Sequence, residues 1–211
     1  MELPATPLLR GVFHQYAFFA ALAAGLVLVV LAEGARAQTA AFVYAGSLAL
    51  MFGASALYHR VPWRSTCVRA WMRRLDHSGI FLLIAGTYTP FALLVFDGRL
   101  GTIMLVLVWA GAAAGILLNL AWIDAPRYLA AGVYLLLGWV GVIAVPQLFD
   151  AGIAWAVLLL VGGGLYSVGA VTYATKWPNP APAVFGFHEV FHVLVIAAAT
   201  VQFVAVAAVV L

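Results

Sequence analysis

The chain has 211 residues, 66% of them hydrophobic and only 8% charged, with a formal net charge of +3. A soluble globular domain carries about 25% charged residues, so this chain cannot cover a water-facing surface. The positive balance is too small, and too concentrated in one connection, to imply a nucleic-acid partner, and the single cysteine, Cys67, excludes an internal disulfide.

The apolar residues fall in runs of about 20, long enough to cross roughly 30 Å of hydrocarbon as helices. Strand-like alternation is absent, which argues against an outer-membrane barrel. Seven runs are predicted as spans: 11–31, 40–58, 75–96, 100–123, 129–149, 152–175 and 184–211. Short breaks between them imply antiparallel neighbours in one bundle, a single domain over residues 1–211.

The first run follows Arg10 and precedes Ala35-Arg36-Ala37, a pattern that imitates a cleaved leader. It is longer than a leader core of about 7–15 residues and is read as a retained helix, opened by His14. The second closes with Ser55 and His59, four residues apart and therefore on one helical face. The connection after it carries Arg60, Arg64, Arg69, Arg73 and Arg74. The third run opens with Asp76 and His77, and Pro90 is expected to kink or end it. In the fourth, Gly111 and Gly115 permit close helix packing. Pro146 is expected to kink or end the fifth, and Gly162-Gly163-Gly164 permits close packing in the sixth. After the turn Trp177-Pro178-Asn179-Pro180, the seventh carries His188, Glu189 and His192 in its first turns.

Lysine and arginine set the expected orientation. With the arginine-rich connection in the cytosol, eight of the ten basic residues lie inside, and only Arg36 and Arg99 fall outside. The N-terminus is then cytosolic and the C-terminus external, in a multi-pass inner (plasma) membrane protein.

On this topology all five histidines lie toward the cytosolic helix ends, and the outer ends hold Glu33, Asp97 and Asp150 instead. Ionisable groups in bilayer helices are costly and mark function. His188 and His192 share one face, and His192 is expected roughly 12 Å below the start of its helix, beneath the headgroups. With His59 they make a three-imidazole set suited to zinc, leaving a fourth position open. Asp76 is placed to hydrogen-bond a water there or take its proton. His14 and His77 read more simply as headgroup-facing, and Cys67 as a bystander. His188-Glu189-Val190-Phe191-His192 also matches H-E-x-x-H, in which metalloproteases supply two zinc ligands and a glutamate base. An intramembrane protease would draw its third ligand from Asp76 and leave His59 without a task.

Three blocks in order carry a resemblance: Ser55-Ala56-Leu57-Tyr58-His59; Leu75-Asp76-His77-Ser78-Gly79 running into Ala85-Gly86-Thr87-Tyr88-Thr89-Pro90; and Gly186-Phe187-His188-Glu189-Val190-Phe191-His192. Over essentially the whole chain the sequence resembles the bacterial hemolysin III family, within the progestin and adipoQ receptor (PAQR) group that includes the adiponectin receptors. The resemblance implies zinc held by His59, His188 and His192, with Asp76 and Ser55 contacting the water on the metal. It also implies a cytosolic N-terminus and a likeness to alkaline ceramidases, zinc-dependent lipid amidases. The chain departs from many hemolysin III members in its first helix, where only His14 remains of an acidic–asparagine–threonine-histidine block. Glu189 is not assigned as a base. The leading expectation is a membrane-lipid amide hydrolase serving lipid homeostasis, with membrane lipids as substrate or ligand. The alternatives are a receptor or sensor with structural zinc, a pore-forming cytolysin and an intramembrane protease.

Overall fold

The computed structural model describes residues 7–211. Its helices are α1 (Val12–Leu31), α2 (Ala35–Arg60), α3 (Thr66–Leu94), α4 (Arg99–Ala121), α5 (Arg127–Gly138), α6 (Val145–Ala151), α7 (Ile153–Thr175) and α8 (Phe187–Val210). A 3-10 segment, Trp139–Ala144, joins α5 to α6. Together these last three pieces form one span, Arg127–Ala151, so seven spans are long and apolar enough to cross a bilayer. Among the described residues the only extended pairing is an isolated bridge between Ala181 and Phe185. The expected all-helical, seven-span architecture is therefore the observed one.

Its outer surface is a hydrocarbon-facing one: Leu26, Val30, Phe42, Val106, Leu117 and Leu136 are all exposed. Helices satisfy their own backbone groups, which is the condition for standing in lipid. Between helices the hydrophobic effect gives little, because lipid tails are as apolar as leucine, and close approach by small residues takes over. A Cβ on Gly86 of α3 would lie 2.0 Å from the Ser47 hydroxyl of α2, and one on Gly79 would lie 3.1 Å from the Met51 backbone. The expected packing role of Gly111 and Gly115 is present, but toward two partners: Leu137 of α5 and Phe81 of α3. Of the three consecutive glycines in α7, Gly162 makes the tight approach, to Gln202 of α8.

Sequential helices pack as neighbours, and α8 returns against α1, α2 and α3. Tyr44, Leu48 and Met51 of α2, Phe91 of α3 and Val206 of α8 are buried in the resulting core. This return brings the start of the last helix beside the end of the second and the first half of the third.

Several boundaries differ from the sequence expectation; α2, for one, begins at Ala35 rather than 40. Helix α3 begins at Thr66 rather than 75, with the Ser65 side chain accepting from Val68 N at 3.4 Å. Arg69, Arg73 and Arg74 are therefore helical, and Asp76 lies about 15 Å along α3 instead of opening it. Helix α8 begins at Phe187 rather than 184, so His192 lies about 7.5 Å from its start, shallower than expected. Pro90 does not end α3, which continues to Leu94, and Pro146 sits in the first turn of α6, after the 3-10 segment that interrupts the span. Proline at a first turn costs no hydrogen bond.

Candidate metal centre

Helix α2 ends in His59, and α8 opens with His188 and His192 one turn apart. One ligand-capable atom from each of the three lies within 4.8 Å of the other two. The Nε2 atoms of His59 and His188 are 3.2 Å apart, and the rings of His188 and His192 have centroids 4.4 Å apart. Asp76 of α3 adds a carboxylate oxygen, Oδ2, 3.5 Å from His59 Nε2. All four side chains are largely withdrawn from the surface, at 9% exposure for His59 and 13% for Asp76. His192 is 2% exposed, and its Nδ1 has no hydrogen-bond partner.

His14 belongs to the same assembly, contrary to its reading as a headgroup-facing residue. It is 2% exposed, and its ring lies parallel to that of His192, with centroids 3.7 Å apart and planes 7° apart. Its Nδ1 is 2.8 Å from the Ser55 hydroxyl. Ser55 thus stands in the wall of the site, one turn before His59, with His14 as its hydrogen-bond partner. His77 lines the same cavity without joining the ligand cluster.

Glu189 lies between two of the clustered histidines in sequence but faces a different group. Its Oε1 takes the Arg10 Nε at 2.5 Å, and its Oε2 accepts from Gly186 N at 2.8 Å. Both oxygens are engaged and the residue is fully buried. A metalloprotease base needs that carboxylate free to meet a water, so the H-E-x-x-H string here lacks the protease geometry.

A cavity of about 180 Å³ extends from the cluster into the bundle. One water needs only about 10–15 Å³, so this is room for a ligand rather than a packing gap. It reaches from Asp76 to Phe91, about 22 Å along α3. Its far walls are mainly apolar, from Leu148 of α6, Ala156 of α7 and Val142 of the 3-10 segment, with Tyr166 and Gln202 as polar exceptions. One end is therefore polar and ligand-rich, and the rest is suited to a hydrocarbon chain.

Sequence reasoning missed two contacts. The pairing of His14 with Ser55 spans 41 positions and leaves no local mark. The signal for the other was present: Arg10 and Glu189 are opposite charges at helix starts assigned to one membrane face.

The profile of the haemolysin-III-related family matches residues 4–203. Hemolysin-3 of Bacillus cereus is 32% identical over 202 residues, covering 92% of this chain and 87% of that one. The Hemolysin-3 homolog of Bacillus subtilis (strain 168) is 38% identical over 136 residues, 64% of this chain and 62% of its own length. The match thus spans less than two thirds of that relative. The adiponectin receptor protein of Drosophila melanogaster is 31% identical over 172 residues, 72% of this chain and 38% of the fly protein.

Proposed function

The chain belongs to the haemolysin-III-related family, within the PAQR group, as a multi-pass plasma-membrane protein; on that premise we propose that it is a zinc-dependent hydrolase of lipid amides serving membrane-lipid homeostasis. One observation carries the reading: three clustered imidazoles with a carboxylate beside them, at the polar end of a long apolar cavity.

The residues fit the metal. Two nitrogens on one tetrahedral zinc, with bonds of about 2.0–2.1 Å, stand about 3.4 Å apart, close to the 3.2 Å between His59 and His188. The buried, unpartnered Nδ1 of His192 is a lone pair or a proton without a use in the protein alone. Imidazole is a ligand for zinc, and the set leaves a fourth position. When bound there, zinc polarises a carbonyl and lowers the pKa of water toward 7.

The protein's own groups supply the rest. His59, His188 and His192 would hold the ion from α2 and α8. Asp76 Oδ2 takes the proton of the water that attacks the amide carbon and returns it to the nitrogen as the C–N bond breaks. Atoms balance as one amide and one water giving one carboxylic acid and one amine. The hydroxyl of Ser55 holds His14 against His192 and so keeps the ligand ring in its plane. The apolar cavity binds the acyl chain and keeps bulk water from the site. A cytosolic N-terminus would place this chemistry at the inner leaflet.

The test is turnover of a short-chain fluorescent ceramide by purified protein in nanodiscs. Equimolar acid and amine, lost on chelation and restored by zinc, is the expected result. Metal-loaded protein that cleaves no lipid amide, with Asp76→Ala retaining cellular function, would overturn the reading. A second reading is favoured by the ligands' position: they tie α2 to α8, as a structural ion in a receptor would. Chelation would then lower the melting temperature with no turnover to lose.

A further inference from the structure

Residues 8–14 touch every element that carries a clustered histidine. Leu8 N and Leu9 N donate to the carbonyls of Ala183 and Val184, in the lead-in to α8, at 3.0 and 3.1 Å. Arg10 then reaches Glu189, which lies in the first turn of α8 between His188 and His192. Glu189 also caps that turn through Gly186 N. Gly11 follows with φ of 75°, and a Cβ there would lie 2.5 Å from the Cβ of His59. One turn further, His14 stacks on His192 and meets Ser55 of α2.

We infer that this segment is a clamp that sets the spacing of the three histidines, with the Arg10–Glu189 pair as its anchor and Glu189 as a positioning residue rather than a base. The inference rests on the metal reading above. Its physical ground is the burial of the anchor: Glu189 is 0% exposed and the Arg10 side chain 21%. Removing one partner leaves the other charge unpaired in a poorly solvated place, so the clamp opens rather than adapts. The histidines lie on two separate helices, and the clamp fixes one relative to the other. Groups that orient metal ligands without touching the ion typically change affinity about 10–100-fold when removed.

The experiment is zinc affinity of purified protein in nanodiscs, by competition with a chromogenic chelator, beside the melting temperature of the metal-free form. Arg10→Gln and Glu189→Gln should each weaken zinc binding at least about tenfold. The double variant should be no weaker than either single, because both remove one interaction. Arg10→Lys, which keeps the charge, should recover most of the affinity. Gly11→Ala, which leaves the ion pair in place, should also weaken zinc by crowding His59. A role in folding alone would lower the metal-free melting temperature and leave zinc affinity within about twofold, a result that overturns the clamp. Failure of the unmodified protein to bind zinc in the same titration would remove the metal reading, and the clamp with it.

Discussion

The two sides of this bundle are built differently. Helices α2 and α3 bury 56% and 61% of their apolar membrane-spanning stretch, whereas the fifth span and α7 bury 17% each. The first side interlocks through glycines and a buried aromatic core, and with α8 it carries every clustered histidine and Asp76. The second side, including the 3-10 segment, forms much of the apolar cavity wall. Ligands that must hold fixed distances stand on the packed elements. The wall suited to a chain stands on the fifth span and α7, which turn more of their length outward toward lipid.

Mutations can break this division of labour. The largest effect is expected on the packed side: His188→Ala/His192→Ala should reduce zinc from about one ion per chain to background by elemental analysis. Asp76→Asn should leave that stoichiometry intact and lower turnover of the ceramide probe by about 10²–10⁴-fold, the range for a lost general base. Equal loss of metal and turnover in that variant would place Asp76 among the ligands. Gly86→Val should destabilise the α2–α3 contact by about 1–3 kcal/mol, read as a lower melting temperature in nanodiscs. The smallest effect belongs to the fifth span. The Tyr88 hydroxyl donates to the Gly138 carbonyl and accepts from Gly141 N at 2.8 Å, holding the 3-10 segment to α3. Tyr88→Phe should cost about 1 kcal/mol of stability, with zinc affinity unchanged and KM for long-chain amides altered. A zinc defect in that variant would show that the two sides are not independent.

Much of this was legible beforehand. Seven apolar runs announce seven helices because hydrocarbon thickness sets their length. His59, His188 and His192 stood out because imidazoles are rare in spans and two of them share a face. The start of α3 did not, because Arg69, Arg73 and Arg74 lower the hydropathy that marks a span, while helical backbone continues beyond the apolar stretch. Ser65, a capping residue, was the local clue. Pro90 does not end its helix, whereas the interruption of the fifth span lies immediately before Pro146. Glu189 carries no assigned role in the sequence reading, and although its charge and that of Arg10 were both visible, the fold pairs them across 179 positions.

The interruption in the fifth span also changes angular phase. A 3-10 helix turns about 120° per residue and an α-helix about 100°. Over the six residues Trp139–Ala144 the difference accumulates to about 120°, a third of a revolution. A helical wheel drawn through residues 127–151 as one helix would therefore assign α6 to the wrong compass bearing. Labels placed seven residues apart across the interruption should report different surroundings, one toward the bundle and one toward lipid, although an unbroken helix would align them.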